Sequence, residues 1–116
     1  MNQLLDALNS RCGWECVVKS YDGWRLGLSS GTSAEYAKPV AAFTGVSYVS
    51  LPFEFSHPKF RIASLAEREE VGKIVPVELE DTVFAIEAET MASLDRQAFF
   101  LVASSVELET TVEAPQ

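Results

Sequence analysis

Apolar residues recur at helical spacing near the start of the chain. Leu4, Leu5 and Leu8 share a face while Asp6 and Asn9 point away, which predicts a short helix from about Asn2 to Asn9. The period then changes to two. Alternating runs from Trp14 to Leu28 flank Asp22-Gly23, the pattern of a β-hairpin. A two-residue Asp-Gly loop would place Cys16 and Val18 on the opposite face from Leu26 and Leu28. A three-residue loop, Tyr21-Asp22-Gly23, pairs Val18 with Leu26 and Cys16 with Leu28, provided Gly23 takes a left-handed conformation. That register gathers Trp14, Cys16, Val18, Trp24, Leu26 and Leu28 on one face, and it is the one expected here.

Residues 29–33 are polar and read as a loop. From about Ala37 to Leu51 a β-rich run carries Val40, Phe43, Val46, Tyr48 and Val49 without clean alternation, and Gly45 marks a bulge or bend inside it. The segment from Pro52 to Phe60 is aromatic and contains two prolines, which donate nothing to a ladder, so a loop or edge is expected. Ser64 and Glu67 fit a capping box opening a second, short helix that Gly72 closes. Two strands follow, about Thr82 to Glu89 and about Gln97 to Glu109. Their middles are apolar on both faces, which places them centrally in a sheet.

The order predicts an α+β fold. A curved, mostly antiparallel sheet of five or six strands, with a half-open barrel as the nearest alternative, would carry one N-terminal helix and one short helix. Residues 1–109 form a single domain, and 110–116 read as a frayed acidic tail.

Composition agrees with a packed domain, since 47% of the 116 residues are apolar. Charge is uneven along the chain. Up to Ala66 there are six basic and five acidic residues, and from Glu67 onward three basic and twelve acidic, for a net charge of -8. Such a surface repels phosphate backbones, and the basic residues form no cluster, so neither nucleic acid nor an anionic membrane is an expected partner. The longest uncharged stretch, Pro39 to Phe53, is shorter than a spanning helix and is interrupted by Gly45 and Pro52. With no basic-apolar leader at the start, the expected compartment is the cytoplasm.

Chemistry-bearing residues are few. Cys12 and Cys16 lack the spacing of a redox or zinc motif, and with one histidine they would need an acidic residue or a second subunit to complete a structural zinc site. No metal or other cofactor is expected. No phosphate loop, dinucleotide fingerprint or nucleophile elbow occurs. His57, the one histidine, is the candidate base, and it stands among Phe53, Phe55 and Phe60, with Tyr48 upstream.

Aromatics concentrated in this way bury large areas at modest entropy cost. Tyr48, Phe53, Phe55, His57 and Phe60 are therefore the candidate binding residues. The leading expectation is a small, acidic, non-catalytic protein-interaction module that recognises another protein or its own copy as a homodimer. The alternative is a small-molecule-binding domain with an aromatic-lined pocket in the curved sheet. A third reading is an enzyme using His57 with Cys12 or a carboxylate.

Overall fold

The computed structural model describes residues 1–12, 15–30, 38–90 and 93–109. Helix α1 (Asn2–Arg11) leads into a hairpin of β1 (Glu15–Tyr21) and β2 (Arg25–Ser30). Then come β3 (Lys38–Thr44), β4 (Tyr48–Ser50), β5 (Glu54–Ile62) and helix α2 (Leu65–Gly72). Strands β6 (Thr82–Thr90), β7 (Ser93–Ala103) and β8 (Ser105–Leu108) complete the fold. All eight strands belong to one sheet in the order β4-β7-β6-β5-β1-β2-β3-β8, and every described pairing is antiparallel.

The α+β class, the curved sheet and both helices are as the sequence implies, but the strand count is eight rather than five or six. Two long runs are each broken by a bend. Gly45 separates β3 from β4, and Ser104 separates β7 from β8. Gly45 has φ 66°, and a Cβ there would stand 2.0 Å from Ser104 Oγ, so conformation and space both demand glycine. Hydrogen bonds cross the bend: Ser47 N–H donates to Val102 O at 2.9 Å, and Ser104 N–H to Thr44 O at 3.0 Å. The end strands β4 and β8 thus continue β3 and β7, which themselves pair with β8 and β4, and the sheet curls into a half-open barrel.

The hairpin register differs from the one expected. Tyr21 pairs with Leu26, Ser20 with Gly27 and Val18 with Leu28. Asp22 N–H donates to Arg25 O at 3.3 Å, which leaves Gly23 and Trp24 as the turn, with Gly23 at φ 91°. Asp22 itself shapes the turn, because its carboxylate accepts from the N–H groups of Trp24 and Arg25 at 2.9 and 2.7 Å. A bulge at Lys19 then shifts the parity of β1, so Cys16 and Val18 still face the core with Leu26 and Leu28. Trp24 is a correction: expected on the buried face, it lies in the turn and is 64% exposed. Trp14, expected on that face, lies outside the described residues, as does the tail from 110.

The inner side of the curl holds the main core. Leu5 and Leu8 of α1 pack with Cys16, Leu26, Leu28, Phe43, Phe55, Phe60, Phe84, Ile86 and Leu101. Phe43 and Phe84 meet edge to face, with ring centroids 5.0 Å apart. Each buried phenylalanine contributes about 2 to 3 kcal/mol by leaving water. Helix α1 is fixed by Asn9, whose amide donates to Phe60 O at 2.9 Å and accepts from Phe60 N–H at 2.7 Å. Among the described residues that edge of β5 has no strand partner at this height, since β1 pairs with residues 54–56. Asn9 supplies the missing donor and acceptor.

The outer side carries a smaller cluster. Val83 and Val102 point away from Phe84 and Leu101 and are covered by Val71 of α2, with Ala63, Val75 and Val77 around them. The capping box is formed as expected: Glu67 N–H donates to Ser64 Oγ at 3.2 Å, and Ser64 N–H donates to Glu67 Oε1 at 2.8 Å. Gly72 is the last helical residue, and Lys73 caps the helix in a right-handed conformation.

Candidate functional site

The aromatic segment expected as a loop or edge is a strand through most of its length. Proline is accommodated by a bulge. The register with β6 shifts between Ser56 and Lys59, so His57 and Pro58 drop out of the ladder, with His57 at φ 52°. Histidine is among the residues that enter this left-handed region more readily than most. The bulge also keeps both apolar ends of β5 inside, and Phe55 and Phe60 are each only 2% exposed.

The five candidate residues are accordingly divided among three places. Phe55 and Phe60 are core. Tyr48 pairs with Val102 on β4 and packs half-buried against the outer cluster. His57 and Phe53 alone stand out, with Phe53 79% exposed.

His57 heads a row of charges on the outer face of β5, β6 and β7. Its Nδ1 lies 3.1 Å from Glu89 Oε2, and the same oxygen is 3.6 Å from Arg96 Nη1. Arg96 also donates to Glu87 O at 2.8 Å. Two residues along β5, Lys59 pairs across the sheet with Glu87. Arg61 then forks: Nη1 and Nη2 donate to the two oxygens of Glu67 at 2.6 and 2.9 Å, and Nε donates to Glu87 at 2.5 Å. The Arg61 guanidinium and the Ser64 N–H hold the Glu67 carboxyl well below its usual range, down to about 2. Arg61 also lowers Glu87. This fork ties α2 to the sheet.

His57 and the cysteines do not share a face. Its partner Glu89 flanks the inward-facing Ala88, so the His57 pair lies outside, whereas Cys12 and Cys16 pack with the inner cluster. Glu87 and Glu89 share a strand face but are committed to Arg61, His57 and Arg96. Among the described residues, no three histidine, cysteine or acidic side chains come together to hold a metal ion. No helix among them is long and apolar enough to cross a membrane.

The exposed aromatics sit elsewhere, at the turn end of the β1–β2 hairpin. Phe53 O accepts from Val18 N–H at 2.8 Å, and Tyr21 lies three residues further along β1, roughly 10 Å at strand rise. Trp24 is joined to the bend through its carbonyl, which accepts from Val46 N–H at 3.1 Å. Tyr21, Trp24 and Phe53 therefore form an apolar rim at one end of the curl, each at least half exposed or nearly so. Of these three, the sequence names Phe53 as a candidate, does not single out Tyr21 and places Trp24 on the buried face. The signal for Trp24 was present in the Asp22 side chain, which can draw the turn forward by accepting two backbone N–H groups.

Two surface depressions are lined by described residues. One, of about 340 Å³, lies over the β1 bulge and is lined by Lys19, Ser20, Arg25, Gly27, Ser29 and Pro39 among others. Arg25 is held there by Glu109. The second, of about 160 Å³, lies between Glu15, Glu54, Phe55 and Ser56. Compared with protein-family models, curated proteins and solved structures, the chain matches none.

Proposed function

We propose that the chain is a non-catalytic protein-interaction module that binds another protein through the rim of Tyr21, Trp24 and Phe53. One observation carries this reading. The aromatics Phe43, Phe55, Phe60 and Phe84 are buried in the inner cluster, while Trp24 and Phe53 remain outside at 64% and 79% exposure. An aromatic-lined pocket in the sheet would need those positions reversed. Exposed Trp and Tyr are the residue types that anchor protein interfaces. The net charge of -8 favours a partner of opposite charge and hastens its encounter.

Native mass spectrometry on protein drawn gently from its own host tests this. Wild-type chain should carry a protein-sized mass surplus that disappears on denaturation. Trp24→Ser combined with Phe53→Ser should abolish the surplus while leaving the melting temperature unchanged. A small-molecule surplus, or a partner retained by the double variant, would contradict the reading.

A further inference from the structure

Basic residues that lie far apart in the sequence are drawn together on the outer side of the hairpin. Lys19 is the residue that the β1 bulge leaves out of the ladder, and Arg25 opens β2. Both line one depression of about 340 Å³ with Glu109, which follows β8 and is fixed there by donating its N–H to Val40 O at 3.0 Å. Arg11, at the end of α1, reaches the same residue, its Nη1 donating to Glu109 O at 2.8 Å. The floor is made of small residues. Gly27 and Ser29 alternate with the inward-facing Leu26 and Leu28, and Ser20 faces Gly27 across the ladder. A Cβ on Gly27 would stand 2.8 Å from Ser20 Oγ, so its absence leaves that hydroxyl room over the floor.

We propose that this depression binds a small organic carboxylate between the Lys19 ammonium and the Arg25 guanidinium, with the Ser20 hydroxyl beneath it. The donors are there to be used. Among the described residues Arg25 engages Glu109 through Nη2 alone, which leaves Nη1 and Nε, and Lys19 makes no ion pair. Glu109 shows the chemistry that the guanidinium accepts at this place, since a planar fork of N–H donors matches the two oxygens of a carboxylate. Charge selects a single negative group. Lys19 and Arg25 stand against one lining carboxylate, so the depression carries one positive charge in excess on a chain of net charge -8, and a phosphate dianion would bring more negative charge than that excess neutralises. The volume suits a small molecule, and the ligand shares Arg25 with Glu109, which acts as an internal competitor. The Arg25 side chain is 44% exposed, so the pairing is screened, and binding is weak and rapidly reversible. Such a ligand is lost on desalting and adds no mass to the gently purified chain.

The experiment titrates the full chain with sodium lactate at neutral pH and constant ionic strength, made up with sodium chloride, and follows the backbone amide resonances. Lactate should move the amides of residues 19–20, 25–29 and 109 along one saturating curve in the millimolar range, and inorganic phosphate should move them more weakly. Lys19→Gln should weaken lactate about tenfold, and Glu109→Gln, which removes the competitor, should tighten it about threefold. Shifts that grow linearly with lactate, or that centre on other residues, would overturn the site. So would a curve unchanged by Lys19→Gln. Phosphate saturating the same amides more tightly than lactate would overturn the choice of ligand. The wild-type titrations need no variant to fold.

Discussion

The two faces of the sheet are built on different physical principles. Inside the curl, four fully buried phenylalanines and the leucines of α1 and β2 form one continuous cluster with no charged member. Outside, the buried cluster at α2 consists of Val71 of the helix with Val83 and Val102 of the sheet, and the helix is held down by Arg61 bridging Glu67 and Glu87. The inner face depends on area removed from water, which is insensitive to pH. The outer face depends on ionised carboxylates. A short helix with one buried residue has too little apolar area to stay docked by itself, so charge supplements what its packing lacks.

Truncation should expose this inequality most strongly. Phe84→Ala, at the edge-to-face contact with Phe43, should cost about 4 kcal/mol in urea unfolding, whereas Val71→Ala under α2 should cost no more than about 1.5 kcal/mol. Equal losses would erase the distinction. Next in size is the bend that encloses the inner face. Gly45→Ala combines a left-handed backbone with a Cβ driven into Ser104, and a loss of about 3 kcal/mol is expected in the same assay.

Acid should separate the faces. Glu67 is ordinarily half-protonated at 4.5 but is held down to about 2 in the fold, and Glu87 is lowered as well. Groups lowered in this way stabilise the fold above their ordinary value, and the contribution is lost as pH falls through the folded value. Amide exchange in α2 should therefore accelerate as pH drops from about 4.5 towards 2, after correction for intrinsic exchange, while Val83–Ile86 in β6 stay protected. Glu67→Gln should weaken α2 by about 1 kcal/mol and blunt that acid response. Smallest of all, the combined Trp24→Ser and Phe53→Ser changes should move stability by no more than about 0.5 kcal/mol, since both side chains are already in water.

What the sequence revealed follows the same division. The central strands were legible because β6 and β7 are apolar on both faces, and α2 because a capping box is a local signal. The leucine face of α1 was equally plain, although Asn9, which bonds both backbone groups of Phe60 from 51 positions away, carries no local mark. Misreadings fell where one residue leaves the ladder. Pro58 argued against a strand, but the His57 bulge removes it from the pairing and lets Phe55 and Phe60 both face inward. The bulge at Lys19 likewise altered the hairpin register while preserving its buried face. Of the candidate site, Phe53 was legible as an exposed aromatic, whereas Trp24 was not, because its place depends on which residues Asp22 caps.

The central claim is that this chain binds at its rim and not within its curl. The most direct test is hydrogen exchange on the protein isolated with its partner, compared with the same chain after the partner is stripped away. Slowed exchange confined to residues 18–25 and the Phe53–Phe55 segment, with Val83–Ile86 in β6 unchanged, is the expected result. Protection centred on the inner strands, with residues 18–25 unaltered, would contradict it.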